Sequence, residues 1–230
     1  MINKAMILAA GFGTRLKPFT DSMPKPLFPF RGRTIISYQI GKLKSYGVKE
    51  IVINAHHFHN KIVEYFQNND FGIKINIIIE EDILGTGGGV LNAREYLFSE
   101  ARFLVMNVDV FTDFNLDLID EAFTETDALA MLAVQKRKTS RYLEFDKDFK
   151  ILKRVTTDKP EVNHFAFNGI HVISSEIFKK EKGTGYKDII DVYMELSAKG
   201  EIIKGFDTRN SYFIDLGRPE NIRLAEKSGD

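Results

Sequence analysis

Short apolar runs alternate along the chain with stretches of helical periodicity. Residues 5–10 (AMILAA), 50–54 (EIVIN), 73–80 (IKINIIIE) and 103–107 (FLVMN) are aliphatic or β-branched and mostly lack period-two alternation. Such runs predict strands buried on both faces, as in a parallel sheet covered by helices. Between them, Ile36, Ile40 and Leu43 share a helical face, with Gly47 as the stop. Ile62, Val63 and Phe66, then Val90, Ala93 and Leu97, repeat that spacing. Strand–helix–strand order predicts right-handed crossovers and an α/β three-layer sandwich around a mixed, mostly parallel central sheet.

Beyond about residue 128 the rhythm changes. Residues 128–134, 142–145, 170–173, 202–206 and 212–215 read as strands, with one clear helix at 188–198 striped by Ile189, Val192, Tyr193 and Leu196. A last helix over 219–227 carries Pro219 in its first turn. No repeat, linker or charge block marks a boundary, so one domain over 1–230 is expected, its later strands extending the same core.

Composition narrows the chemistry. Lys and Arg total 32, Asp and Glu total 32, and cysteine is absent. A thiolate nucleophile, a disulfide framework and a Cys-based metal site are thereby excluded. The neutral balance lacks the basic footprint of a nucleic-acid binder, and the 19 phenylalanines are not interleaved with a basic stripe. No apolar run approaches the roughly 20 residues of a membrane span, and the N-terminal apolar run is too short for an export signal. A cytoplasmic protein with neither membrane nor nucleic-acid partner is expected.

The most informative segment is residues 8–29, LAAGFGTRLKPFTDSMPKPLFP. A buried strand runs directly into Gly11 and Gly13, whose bare backbone suits close approach to anionic oxygens. From Thr14 to Arg33 five cations (Arg15, Lys17, Lys25, Arg31, Arg33) face one anion, Asp21, and Pro18, Pro24, Pro26 and Pro29 stiffen the loop. Two familiar phosphate motifs are absent. There is no G-x-x-x-x-G-K-[ST], and the third glycine of G-x-G-x-x-G is Leu16, with no ribose-binding acid after the strand ending at Asn54. A nicotinamide-dependent dehydrogenase is disfavoured on the same grounds.

This segment resembles the signature L-A-A-G-x-G-T-R-L-x-P-x-T-x-x-x-P-K-P-L of the sugar-1-phosphate nucleotidylyltransferases. Blocks GTGGGV (85–90), NVDVFTD (107–113), FNGI (167–170) and FIDLG (213–217) agree in order, so the resemblance spans nearly the whole chain. It is similar to the compact members, such as N-acetylmuramate-1-phosphate uridylyltransferases and heptose- or mannose-1-phosphate guanylyltransferases. The resemblance implies a Rossmann-like nucleotidyltransferase fold, a nucleoside triphosphate and a sugar 1-phosphate as partners, and Mg²⁺ as cofactor. The reaction it implies is attack of a sugar 1-phosphate oxygen on the α-phosphorus, with loss of pyrophosphate. That nucleophile is already an anion, so positioning and charge neutralisation carry the catalysis.

By resemblance Arg15, Lys25 and Asp109 are catalytic, with Arg15 on the triphosphate and Lys25 where donor and acceptor phosphates meet. Leu8, Ala10, Gly11, Gly13, Thr14, Arg15, Gly85 and Gly88 hold the nucleotide; Asn107, Asn168, Gly169 and Lys187 hold the acceptor. Asp109 and Asp215 are the Mg²⁺ ligands. Each acid follows a predicted strand, where open α/β sheets bind ligands, and Mg²⁺ needs only one or two carboxylates beside phosphate and water. Where the pattern has glycine before the first acid this chain has Val108, a β-branched residue that narrows backbone approach to the sugar.

The glycines at 85–89 are expected to open a helix over 90–97, and Asp113 and Asp117 to be solvated loop acids. His56, His57 and His59 have no metal-binding spacing and are expected to be solvated or capping. The acceptor could be N-acetylmuramate, a heptose, a hexose or phosphocholine as the 1-phosphate. Uridylyl transfer to an N-acetylamino-sugar phosphate is favoured, with guanylyl transfer second. A non-catalytic nucleotide-sugar sensor is the alternative of another class, against which stands the retention of Arg15, Lys25, Asp109 and Asp215. A monomer or small homo-oligomer is expected, ending after the last helix without an acyltransferase extension.

Overall fold

The structure, a computed structural model, describes residues 1–227; the last three positions of the expected 1–230 domain lie outside the described residues. Strand β1 (Lys4–Leu8) leads through a long loop to the hairpin β2 (Pro29–Phe30) and β3 (Arg33–Thr34), then to α1 (Ile35–Tyr46). Next come β4 (Glu50–Ala55), α2 (His59–Gln67), β5 (Lys74–Ile79), α3 (Gly85–Asn92), α4 (Arg94–Leu97) and β6 (Arg102–Asn107). The second half holds β7 (Val110–Thr112), α5 (Leu116–Thr124), β8 (Ala130–Gln135), β9 (Arg141–Phe145), β10 (Ile151–Thr156) and β11 (His164–Ser174). It closes with α6 (Ile177–Lys180), α7 (Ile189–Ala198), β12 (Ile203–Asp207), β13 (Phe213–Asp215) and α8 (Pro219–Lys227).

Nine strands form one mixed sheet in the order β10-β9-β11-β6-β1-β4-β5, with β8 and β12 joined to it beside β11. The core strands β5, β4, β1 and β6 are parallel, β11 runs antiparallel to both β6 and β8, and β12 pairs in parallel with β8. Successive side chains alternate between two apolar layers: Ala5, Ile7, Leu104 and Met106 face one, Met6, Leu8, Phe103 and Val105 the other. Helices α1, α5 and α8 cover the first through Ile36, Ile40, Ile119, Phe123 and Ile222. Helices α3, α4, α6 and α7 cover the second through Val90, Leu97, Ile177, Val192 and Tyr193. Each fully buried aliphatic or aromatic side chain contributes roughly 1.5–3 kcal/mol. Continuous apolar strands are therefore what this sheet requires.

Local signals set the helix ends. Thr34 caps α1 by accepting from Ser37 N at 3.2 Å, and Gly47 ends it in the left-handed region (φ 106). Asp188 caps α7 by accepting from Ile190 N at 2.8 Å.

Several expected elements change. The helix expected over 90–97 starts at Gly85, runs through the glycines and breaks at Ala93 into α4. Glycine is a poor helix former, but this helix presses on α7, where a Cβ at Gly87 would lie 3.0 Å from Val192 Cγ2 and 3.1 Å from Asp188 O. Close approach overrides propensity here. Strand β11 is longer than the expected 170–173, because Asn168-Gly169 forms a register irregularity between Phe167 and His171 rather than a strand end. Strand β10 was not expected: of its six residues only Ile151 is buried, so it carries no apolar signal.

Strand β1 lies between β4 and β6. From β1 the chain moves outward through β4 and β5, then returns to the other side of β1 at β6. The loops leaving β1 and β6 therefore part in opposite directions, which is where open α/β sheets form a ligand crevice.

Candidate active site

The register that pairs Leu8 with Asn54 on one side and Asn107 on the other lays these three residues in a row across the crevice floor. Asn54 is buried and fully used: its Oδ1 accepts from Ala9 N at 2.8 Å and its Nδ2 donates to Glu80 Oε1 at 2.7 Å. Glu80 Oε2 in turn accepts from Leu84 N at 3.1 Å, so one buried chain of bonds ties the loop after β1 to the loop after β5. Above the floor lies a cavity of about 260 Å³ whose walls include Leu8, Ala10, Gly11, Lys25, Gly85 and Asp109. A Cβ at Gly11 would meet nothing within 4 Å, so bare backbone faces this cavity. Thr86, Asn107 and Asp188 also border a second cavity of about 610 Å³, making one continuous cleft.

Two acids distant in sequence meet at the junction. Strand β13 pairs with β7 so that Asp215 lies opposite Val110, and Leu216 N donates to Asp109 O at 2.8 Å. Arg15 then joins the two carboxylates. Its Nη1 donates to Asp215 Oδ2 at 2.8 Å, its Nη2 to Asp215 Oδ1 at 3.3 Å, and Nη2 lies 3.7 Å from Asp109 Oδ2. Lys25 Nζ donates to that same Asp109 oxygen at 2.8 Å. Gly217 makes room for the cluster, since a Cβ there would sit 2.5 Å from Arg15 Nη2 and 2.6 Å from Asp215 Oδ1.

Burial acts against the Asp109 carboxylate, which is only 9% exposed, but the charge and hydrogen bond of Lys25 and the charge of Arg15 outweigh it. The net effect holds Asp109 below the usual carboxylate range. Burial likewise disfavours the Arg15 cation, and the bond and charge of Asp215 reverse that, raising it further. Asp109 and Arg15 are therefore both held in their charged forms at neutral pH.

The loop's other cations do structural work. Lys17 pairs with Asp21 at 3.0 Å, Arg31 lies over the Phe111 ring at 4.8 Å, and Arg33 over Tyr38 at 5.1 Å. Thr20 Oγ1 donates to Gly13 O at 2.9 Å, folding the loop so that Arg15 and Lys25 point inward together.

Of the residues singled out in the sequence, Leu8, Ala10, Gly11, Lys25, Gly85, Asn107 and Asp109 line the smaller cavity, and Arg15, Asn107 and Asp215 the larger. Gly13, Thr14, Gly88, Asn168, Gly169 and Lys187 line neither. Asn168 is spent on Thr208 Oγ1 (3.1 Å) and Arg137 Nε (3.2 Å), and a Cβ at Gly169 would lie 2.7 Å from Asn107 Nδ2. Gly88 N donates to the Lys187 carbonyl at 3.3 Å, while the Lys187 ammonium lies 3.6 Å from Glu181. These residues brace the walls. Asp113 is the exposed loop acid expected, and it also accepts from Tyr212 N at 2.7 Å; Asp117, likewise exposed, sits in the first turn of α5 rather than in a loop. His56 meets the Glu80 carbonyl at 2.9 Å.

Residues the sequence did not single out complete the cleft. Arg137, Arg141, Arg154 and Arg218 line the larger cavity, and Asp188 and Thr86 both. The run KRKTSR (136–141) between two strands was the visible signal for Arg137 and Arg141; nothing comparable flags Arg154 or Arg218. Gln39, buried on α1, donates through Nε2 to Val108 O at 3.0 Å and Val110 O at 2.5 Å, clamping the backbone on both sides of Asp109. Val108 itself is 1% exposed and belongs to the core, so its side chain turns away from the cleft.

Among the described residues no group of three or more metal-binding side chains occurs. Asp109 and Asp215 nevertheless converge on one cation, the Arg15 guanidinium, and a pair of carboxylates is enough for Mg²⁺ when phosphate and water supply the rest. The donor set fits that ion.

A family model described as nucleotidyl transferase matches residues 4–228. The chain belongs to the nucleotidyl transferase family. Among curated relatives of this family member, a bifunctional protein GlmU of Methanococcus maripaludis is 32% identical over 230 residues. That match takes in 96% of the chain but 53% of the relative, so the chain spans about half its length. A D-glycero-alpha-D-manno-heptose 1-phosphate guanylyltransferase of Campylobacter jejuni is 31% identical over 223 residues, covering 95% of the chain and 96% of the relative. The crystal structure of HddC from Yersinia pseudotuberculosis superposes with a TM-score of 0.80 at 24% identity, over 98% of this chain and 99% of that one. The inositol-1-phosphate CTP transferase of T. maritima gives 0.81 at 22% identity, over 98% and 96%. These two share the fold.

Proposed function

We propose that this family member transfers a nucleoside monophosphate from a nucleoside triphosphate to a sugar 1-phosphate, releasing pyrophosphate. The bridging of Asp109 and Asp215 by Arg15, with Lys25 on Asp109, carries this reading. It supplies two carboxylates for a divalent cation and two cations for phosphate at the junction of two cavities. The nucleotide occupies the smaller cavity, against the backbone of Leu8, Ala10, Gly11 and Gly85. The sugar occupies the larger one, and the phosphates meet between them.

Lys25 neutralises the α-phosphate and the incoming phosphate oxygen, and Arg15 grips the departing pyrophosphate with its planar donor pair. Asp109 and Asp215 would hold Mg²⁺, which when bound spreads charge off the α-phosphorus and fixes the in-line geometry. The clamp of Gln39 keeps Asp109 in place. No general base is needed, because the sugar phosphate arrives ionised. Gly13, Thr14 and Gly88 support the nucleotide, and Asn168, Gly169 and Lys187 the acceptor, from behind the lining.

Two finer readings differ in base and sugar. Uridylyl transfer to an N-acetylamino-sugar 1-phosphate rests on motif resemblance. Guanylyl transfer to a heptose 1-phosphate is supported by relatives matched over nearly the whole length of both chains. The protein is read as a single cytoplasmic catalytic domain over 1–230, acting as a monomer or small homo-oligomer. Pyrophosphate release measured for five nucleoside triphosphates against a panel of sugar 1-phosphates, with and without Mg²⁺, tests the proposal. Mg²⁺-dependent turnover that Lys25→Met abolishes is expected. Saturable nucleotide binding without turnover for any pair would identify a sensor instead.

A further inference from the structure

The larger cavity carries more positive charge than one phosphate requires. Five arginines line it (Arg15, Arg137, Arg141, Arg154 and Arg218) against two acids, Asp188 and Asp215. Arg15 is committed to the acid pair at the junction. Arg154 is held by Asp191 at 3.0 Å and Asp188 at 3.7 Å, and Arg218 lies 3.8 Å from Glu220. Arg137 and Arg141 have no ion-pair partner within 4.0 Å among the described residues.

Arg137 is nevertheless a built group rather than a stray surface chain. Its Nε donates to Asn168 Oδ1 at 3.2 Å, its Nη2 to Phe167 O at 2.7 Å, and its guanidinium lies 4.4 Å from the Phe213 ring centroid. Those anchors leave Nη1 free to donate. Burial lowers the affinity of Arg137 for its proton and outweighs the opposing charge of Asp215, an environment that an incoming anion relieves. Arg141 follows on the same wall, beside the hydroxyls of Thr139 and Ser140.

The position separates these arginines from the reacting phosphate. Of the two cavities of the cleft, Lys25 and Asp109 line the smaller and Arg137 and Arg141 the larger, and Arg137 also borders a neighbouring cavity walled by Lys136, Lys138 and Glu161. With its 1-phosphate at Lys25, the sugar of the proposed reaction would lie in the larger cavity, whose wall holds Arg137 and Arg141. We infer that Arg137 and Arg141 bind a second anionic group on the acceptor sugar, so that the preferred substrate is a sugar 1-phosphate that also bears a carboxylate or a further phosphate ester. This rests on the proposed transfer to a sugar 1-phosphate and goes beyond it in fixing the acceptor's charge.

The test compares glucuronate 1-phosphate and glucose 1,6-bisphosphate with glucose 1-phosphate, by kcat/KM with the preferred triphosphate and by titration calorimetry without it. Wild-type protein should favour at least one doubly anionic acceptor about tenfold or more, the scale of one charge-assisted hydrogen-bonded pair. Which of the two gains identifies carboxylate or phosphate as the second group. Arg137→Met should shrink that preference toward unity through KM, and Arg137→Lys should restore part of it. Equal use of all three acceptors, or an Arg137→Met loss that is the same for each, would overturn the inference and return Arg137 to the 1-phosphate. Absence of turnover with every pair counts against the proposed reaction, and calorimetry then still decides the second anion: preferential binding of a doubly anionic sugar that depends on Arg137 supports it, indifference rejects it.

Discussion

The two halves of the cleft are built by different means. On the nucleotide side, parallel strands β1, β4 and β6 end in register, and short loops place backbone and a few charged groups from that edge. On the proposed acceptor side, antiparallel β9 and β10 and the turn before β9 present long side chains, among them Arg137, Arg141 and Arg154. The first arrangement fixes chemistry common to all substrates. The second can be re-cut by changing arginines without touching the sheet. Substitutions on the nucleotide side should therefore depress every acceptor alike, and those on the acceptor side should re-rank acceptors.

The largest effect is expected at Asp109. Asp109→Asn removes one of the two carboxylates proposed to hold the cation and leaves Lys25 facing a neutral amide, and kcat should fall about a thousandfold for every acceptor. Lys25→Met should lower kcat about a hundredfold to a thousandfold, again without changing acceptor ranking. A change of ranking in either variant would break the division between the halves.

Gln39→Leu tests the clamp behind Asp109. It strands two buried carbonyls, an expected loss of roughly 2–4 kcal/mol in urea unfolding, together with a fall in kcat. Gln39→Leu with altered stability but unchanged kcat would make the clamp purely structural.

The last effect leaves activity at neutral pH aside and appears only in acid. His171 on β11 is fully buried, its Nδ1 lies 2.6 Å from the Tyr193 hydroxyl of α7, and its Nε2 has no partner. Burial pushes its pKa down to about 3. Between its ordinary value near 6.5 and about 3 the unfolded chain gains a proton that the folded chain refuses. Its contribution is therefore complete above pH 6.5 and is lost as the pH falls, by roughly 1.4 kcal/mol per unit. Urea midpoints at pH 7, 5 and 4 should drop less steeply for His171→Leu than for wild-type protein. Parallel profiles would remove His171 from the acid sensitivity.

This division also governs what was legible beforehand. The parallel strands β1, β4 and β6 were visible because both faces are buried, β5 through its β-branched run although it is only half-buried, and α1, α7 and α8 because their stripes and ends are regular. Glycine and proline spacing marked the loop, and resemblance to the family signature picked Arg15 and Lys25 out of its five cations. The sequence could not reveal that Lys17, Arg31 and Arg33, equally basic, would be absorbed by Asp21, Phe111 and Tyr38. Nor could it reveal the Gln39 clamp, an ordinary polar residue on a helix whose partners lie some seventy positions away. Strand β10 escaped because its side chains are mostly exposed, and the glycine helix because tertiary contact with α7, not propensity, stabilises it. The acceptor arginines escaped because a basic turn looks solvated until the folded sheet curves it over a cavity.

The most direct measurement concerns the junction. Mn²⁺ bound to protein in the presence of a non-hydrolysable triphosphate can be counted by electron paramagnetic resonance in wild-type protein, Asp109→Asn, Asp215→Asn and the double variant. If both carboxylates serve one cation position, each single variant should weaken binding strongly and the double variant should lose little more. Independent, additive losses, or full retention in either single variant, would contradict the shared site.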